Sequence, residues 1–122
     1  MTVVALSVAP NGHTVMVELP DSSHDQLRAL CRLIGCAAVV AVVVEPDLLI
    51  WLDDNHIDPV ALLNPVASTL AASVTGRVDI QGVAVFTGSA EKDGAITSLP
   101  ARWWNLVFRA GAVALPPDPT IG

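Results

Sequence analysis

Apolar positions alternate with polar ones early in the chain and then shift to helical spacing, so the pattern alone divides it into elements. Residues 2–8 read as a strand, Asn11-Gly12 as a tight turn and Thr14-Val15-Met16-Val17-Glu18-Leu19 as the returning strand. Asn-Gly is a strong short hairpin signal because a two-residue turn asks for positive φ at both positions. Pro20-Asp21 breaks the strand. Ser23 with Gln26 three residues on has the spacing of a capping box. Leu27, Leu30, Cys31 and Ile34 then recur at helical intervals until Gly35 supplies a stop.

Residues 36–44 form a nearly unbroken Val/Ala run, the pattern of a central strand covered on both faces or sheltered in an oligomer. Glu45-Pro46-Asp47 turns it into the strand Leu48-Leu49-Ile50-Trp51-Leu52, which ends in the acidic turn Asp53-Asp54-Asn55. Residues 57–63 fit either extended chain or a helical turn. Asn64-Pro65 has the form of an N-cap followed by a first helical residue, opening a short helix that Thr75-Gly76 closes. Val78 and Ile80 alternate with Asp79, and Val83-Ala84-Val85-Phe86 reads as a further strand ended by Gly88. Residues 89–94 are a polar loop. Thr97 or Ser98 caps a final helix begun by Pro100, with Trp104, Val107 and Phe108 as its apolar stripe.

This order lacks regular βαβ alternation. It predicts an α+β fold, a mainly antiparallel sheet of about five or six strands with two to three helices against it. Residues 1–110 are expected to form one domain and residues 111–122, with Pro116, Pro117 and Pro119, an irregular Pro-rich tail.

Composition narrows the function classes. The 122 residues are 52% hydrophobic and 15% charged, more apolar than an ordinary domain, so part of that surface is expected to be covered in a homo-oligomer, a dimer in the simplest case. The longest uncharged run falls short of the ~20 residues of a spanning helix, and no secretory leader pattern is visible, which points to the cytoplasm and away from a membrane. Net charge is −6, and the six Lys and Arg residues are scattered, so direct nucleic-acid binding is not expected. Cys31 closes a helical pattern and Cys36 opens an apolar run. Their side chains need not converge, and both read as small buried apolar residues without a disulfide.

A set of elements in register resembles an uncharacterised small domain carried by bacteriophages, plasmids and bacteria, catalogued as a domain of unknown function. The matching residues are Leu27-Arg28-Ala29-Leu30 leading to Ile34-Gly35, the strand into Asp53-Asp54, Leu63-Asn64-Pro65-Val66-Ala67, Gly82-Val83-Ala84-Val85 with Gly88, and Thr97-Ser98-Leu99. The chain departs from that family at Cys36 and Asn55, where the family tends to have glycine. The resemblance implies a phage or plasmid connection and carries over no activity; a host or viral protein as partner belongs to the interaction-protein reading below. Ala, Val and Arg richness with a single Lys is the composition of a high-GC genome such as an actinobacterial one.

Asp53, Asp54, His56 and Asp58 lie close together in sequence, and carboxylates with an imidazole suit a metal site or an acid–base pair; a solvated turn uses the same residue types. Asn64 at a helix N-terminus fits either a cap or an anionic ligand. Adjacent residues on a helix point in different directions, so of Trp103 and Trp104 one is expected to pack inward and the other to serve as an exposed interface anchor, unless both cover the sheet edge. No nucleophile elbow, Ser/His/Asp set or Gly-rich phosphate loop is present. No catalytic residue, cofactor or metal ligand is therefore assigned. Three readings follow. The first is a non-catalytic interaction protein. The second is a ligand- or metal-binding domain, enzymatic in one version, built on Asp53, Asp54 and Asn64. The third is an acidic DNA mimic.

Overall fold

The structure is a computed structural model and describes residues 3–54, 63–75 and 80–114. Its elements run β1 (Val3–Val8), β2 (Thr14–Leu19), α1 (Ser23–Ile34), β3 (Val39–Glu45), β4 (Leu48–Asp53), α2 (Pro65–Thr75), β5 (Ala84–Thr87) and α3 (Ala101–Ala114). The strands form one antiparallel sheet in the order β2-β1-β5-β4-β3. This is the expected α+β fold, with three helices. His56 and Asp58, the 57–63 segment before Leu63, Gly76, Val78 and Asp79 lie outside the described residues, as does the tail beyond residue 114. Residues 111–114, expected in that tail, belong to α3 instead; Ala110, Ala112 and Ala114 favour the helix enough to carry it past Gly111.

The pleat sends alternate residues to opposite faces, and each face has its own core. On one face Leu6, Phe86 and Ile50 align across three adjacent strands, with Met16 and Val42 extending the row on the outer strands. Val66, Ala67, Leu70 and Ala71 of α2 and Val107 of α3 pack over it. Phe86, Leu6 and Ile50 are fully buried, each contributing about 1.5–3 kcal/mol of transfer free energy. On the other face Ala5, Leu19 and Val85 meet Leu30 of α1, with Ala29, Leu33 and Ile34 packed alongside. The sheet is thus sandwiched between α1 and the α2/α3 pair. The buried face of α1 is 26/29/30/33/34; Leu27, expected to face the core, is 43% exposed. In α3 the inward residues are Trp103, Trp104 and Val107, and Phe108 turns outward.

Caps fix the helix ends, though not always with the expected residue. Ser22, one residue earlier than the capping-box pattern suggests, caps α1 by accepting from Asp25 N. Gln26 is thereby released from the cap and is fully buried. Gly35 adopts the left-handed conformation and, with Cys36, donates to Cys31 O. Neither Thr97 nor Ser98 caps α3: Thr97 Oγ1 donates to Ser89 O, and Ser98 Oγ accepts from Val4 N. The Ser98 bond and Leu99 N on Val4 O tie this segment to β1, while the Thr97 bond holds it to Ser89.

The β1–β2 turn uses a different geometry from the one Asn-Gly suggests. Gly12 alone takes positive φ, and Gly12 N donates to Ala9 O while Ala9 N donates to His13 O. Asn11 stays at negative φ and accepts His13 N on its Oδ1. This is a three-residue loop with a glycine bulge. The polar 89–94 segment repeats it: Glu91 N donates to Ala95 O, Gly94 N to Glu91 O, and Asp93 Oδ1 accepts Ala95 N. Of the two readings of the Val/Ala run, the central strand is not found: among the described residues β3 lies at the sheet edge. A Val/Ala run has the composition of a central strand, but strand order is decided by contacts distant in sequence.

Candidate functional site

β4 carries Trp51 and Asp53 to the face covered by α1, since both alternate with the buried Ile50 and Leu52. Asp53 pairs with Val39 at the start of β3, and Asp54 N donates to Ala38 O. Here the chain opens a cavity of about 230 Å³ lined by Ala37, Ala38, Asp53 and Asp54. Among the described residues its lining is two small alanines and two aspartates.

Cys36 stands beside this cavity. Burial pushes its thiol up from 9.0 to about 11, and the neighbouring Asp53 carboxylate and Cys31 thiol push in the same direction. The two cysteines thus meet, which the sequence leaves open, and both are partly exposed rather than buried. The cause is the helix stop. In this motif the residue after the left-handed glycine folds back on the last turn, and Cys36 N on Cys31 O closes that loop. Cys31 Sγ also lies 3.7 Å from Ala37 O, toward which it donates. Gly35 is the signal in the sequence from which the contact can be read. With so high a value the Cys36 thiol is almost wholly protonated at neutral pH, a poor nucleophile and a poor metal ligand. Among the described residues, no group of three or more His, Cys, Asp or Glu side chains is arranged to hold a metal ion.

Asn64 is fully buried and its side chain is committed. Its Oδ1 accepts Ala67 N at 3.2 Å, the N-cap bond of α2, while Nδ2 donates to Val8 O at 3.0 Å and Gly82 O at 2.9 Å. Its backbone N–H donates to Ile80 O, and Ser68 Oγ holds Ile80 N. Asn64 thus locks α2 to β1 and to the segment before β5. It does not line the cavity at Asp53 and Asp54, so the three residues expected to form one junction are divided between a cap and a cavity rim.

Of the two readings of the tryptophans, neither residue is exposed as an anchor would be. Both are half-buried against the α2/α3 core, and both indole N–H groups are used within the chain. Trp104 Nε1 donates to Leu99 O at 3.0 Å and Trp103 Nε1 to Asp47 Oδ1 at 3.0 Å. Arg102 pairs with Asp47 Oδ2 and lies over the Trp103 ring, 4.9 Å from its centroid. Partial desolvation raises the Asp47 carboxyl, but the Trp103 hydrogen bond, the Arg102 hydrogen bond and the Arg102 charge outweigh it and hold the group below its ordinary value. The result is a clasp from α3 to the β3–β4 turn.

No helix among the described residues is long and apolar enough to cross a membrane. Comparison with protein-family models, with curated proteins and with solved structures finds no match to this chain.

Proposed function

We propose that this is a non-catalytic interaction protein that works as a homodimer in the cytoplasm and binds a host or viral protein, in keeping with the phage or plasmid association that its resemblance implies. The observation that carries the reading is the incomplete cover of the sheet. Five strands at about 4.8 Å spacing span roughly 20 Å, whereas one helix is about 10 Å across. α1 is the only helix on its face among the described residues, and Val15 on β2 and Val43 on β3 remain 44% and 56% exposed on that same face. Apolar surface left open at both flanks of a sheet is surface suited to a partner.

A second reading, ligand binding at the carboxylates, is favoured by the cavity at Asp53 and Asp54. Light scattering combined with thermal melting, with and without a divalent metal ion, separates the two. A dimer whose melting temperature is indifferent to metal is the expected result. A monomer strongly stabilised by metal would move the function to the cavity.

A further inference from the structure

We propose that β3 is the dimer surface: it pairs with β3 of a second copy, antiparallel and two-fold symmetric about Ala41, joining two five-stranded sheets into one of ten strands. The inference rests on the interaction-protein reading above and specifies its contact.

The register decides which backbone groups are free to pair. Asp54 N donates to Ala38 O, and the β3–β4 ladder continues as Val39↔Asp53, Val40↔Leu52, Ala41↔Trp51, Val42↔Ile50 and Val43↔Leu49. Hydrogen-bonded and non-bonded pairs alternate in an antiparallel ladder. Residues 38, 40 and 42 therefore direct their N–H and C=O groups toward β4, and Val39, Ala41 and Val43 direct theirs outward. Among the described residues no strand lies beyond β3. A two-fold axis at Ala41 sets Ala41 against Ala41 of the second copy, and Val39 against Val43 twice. These are three reciprocal pairs exchanging about six hydrogen bonds. The shift between Val43 and Glu45 falls just past the last pair and leaves the ladder regular.

Charge and side chains agree with the same axis. A chain of net charge −6 repels its copy over most surfaces, yet residues 37–44 contain no ionisable group, and the axis puts the two Glu45 residues at opposite ends of the paired segment. Perpendicular to the sheet, the two-fold keeps like faces together. Val43 is then covered by Val39 on the α1 face, and Val40, 38% exposed, by Val42 on the other. Protein sheets ordinarily protect an edge with a charge or a proline. Both edge strands are followed by a proline, Pro20 after β2 and Pro46 after β3, but β2 also has Glu18 among its outward residues inside its ladder. The one charge of β3, Glu45, lies past the register shift and leaves its regular run uncharged, as a strand that is paired in its working state allows.

The test is a proline at Ala41. Its N–H points outward, so Ala41→Pro removes an inter-subunit donor and no bond to β4. Light scattering is expected to show a dimer for the unaltered chain, a monomer with unchanged far-ultraviolet circular dichroism for Ala41→Pro, and a dimer for Met16→Pro, the equivalent change on the outward side of β2. A dimer that survives Ala41→Pro overturns the β3 contact and leaves the dimer reading standing; a monomeric unaltered chain overturns both. If Ala41→Pro fails to fold, Ala41→Cys in a chain with Cys31→Ala and Cys36→Ala decides. Cα atoms in a hydrogen-bonded pair are about 5.5 Å apart, within disulfide reach, so oxidation is expected to give a covalent dimer. Val43→Cys in the same background, whose counterpart across the axis is Val39, is expected to stay monomeric on a denaturing gel. Absence of a cross-link in the oxidised Ala41→Cys protein overturns the proposal.

Discussion

The side chain of Gln26 is hydrogen-bonded to both backbone groups of Ile96, accepting Ile96 N at 2.8 Å and donating to Ile96 O at 3.1 Å. A buried glutamine in the first turn of α1 thus mimics one rung of a β-ladder and docks the helix against the segment after the 89–94 hairpin. Replacing it leaves a buried donor and a buried acceptor orphaned, at about 1–3 kcal/mol for each group. Gln26→Leu, close in size and apolar, is expected to lower the urea midpoint despite its higher hydrophobicity. An unchanged midpoint would mean that water replaces the amide.

Asn64 has an acceptor role and a donor role, which substitution can separate. Asn64→Asp keeps the oxygen that caps Ala67 N but replaces the donor that serves Val8 O and Gly82 O with a second oxygen facing two carbonyls. The cap alone is worth about 1 kcal/mol, and a charge buried against carbonyls costs more than its loss. Asn64→Asp is therefore expected to be less stable than Asn64→Ser in chemical denaturation. The reverse order would reduce Asn64 to a cap.

Asn64 and Gln26 also mark where the fold could be read from the chain. Asn64-Pro65 announces a helix start by local chemistry, and the structure puts α2 there. Gly35 likewise announces a stop, and with it the meeting of Cys31 and Cys36. Gln26 carries no such local signal, because its partner lies 70 residues away; its spacing from Ser23 imitates a capping box instead. The position of β3 fails for the same reason. Val and Ala show that a strand forms, whereas its place at the edge is set by β4, β5 and β1 taking the positions beside one another. The Asp93-Gly94 turn does have a local signal, since it repeats the bond pattern of Asn11-Gly12, but it sits within a stretch too polar to suggest a hairpin.

Gly88 is buried at the end of β5, where an added Cβ would lie 2.4 Å from Ser98 O and 2.5 Å from Thr97 Oγ1. The first contact is with backbone that Val4 and Leu99 help to hold. Gly88→Ala is expected to cost about 1–3 kcal/mol through overpacking. Gly94→Ala meets only an ordinary contact and suffers chiefly its left-handed φ of 87°, about 1–2 kcal/mol. Gly88→Ser, larger still, is expected to be worse than Gly88→Ala at position 88, whereas at position 94 Asn is expected to recover part of the loss. Thermal melting of the four variants checks both orders.

Asp47 joins α3 to the β3–β4 turn through Trp103 and Arg102. Its carboxyl is held below the ordinary value in the folded chain, so it favours folding above the unfolded carboxylate value and loses that contribution as pH falls through the folded one. Asp47→Asn is expected to lower the melting temperature in the neutral range and to flatten the acid limb, the two proteins converging as pH falls through the folded value. An identical acid limb in both proteins would show that the clasp contributes nothing.

Cys36 sets the alkaline limb by the opposite displacement. Its thiol is raised from 9.0 to about 11, first by burial and then by Asp53 and Cys31. Between those values the unfolded chain has lost the proton and the folded chain keeps it, so the unfolded state binds fewer protons and stability falls as pH rises. Well below pH 9.0 both states are protonated and the group contributes no slope. Cys36→Ala removes the ionisation without adding bulk, and melting temperatures measured across this window are expected to decline less steeply in the variant. Asp53→Asn tests the cause separately. With the carboxylate neutralised, burial and Cys31 still hold the thiol up, so the upper end of the decline should move to lower pH without the decline vanishing. Ultraviolet titration of the thiolate follows the same shift directly, and a Cys36 that ionises at its ordinary value would show that it is neither buried nor crowded by Asp53 and Cys31 in solution.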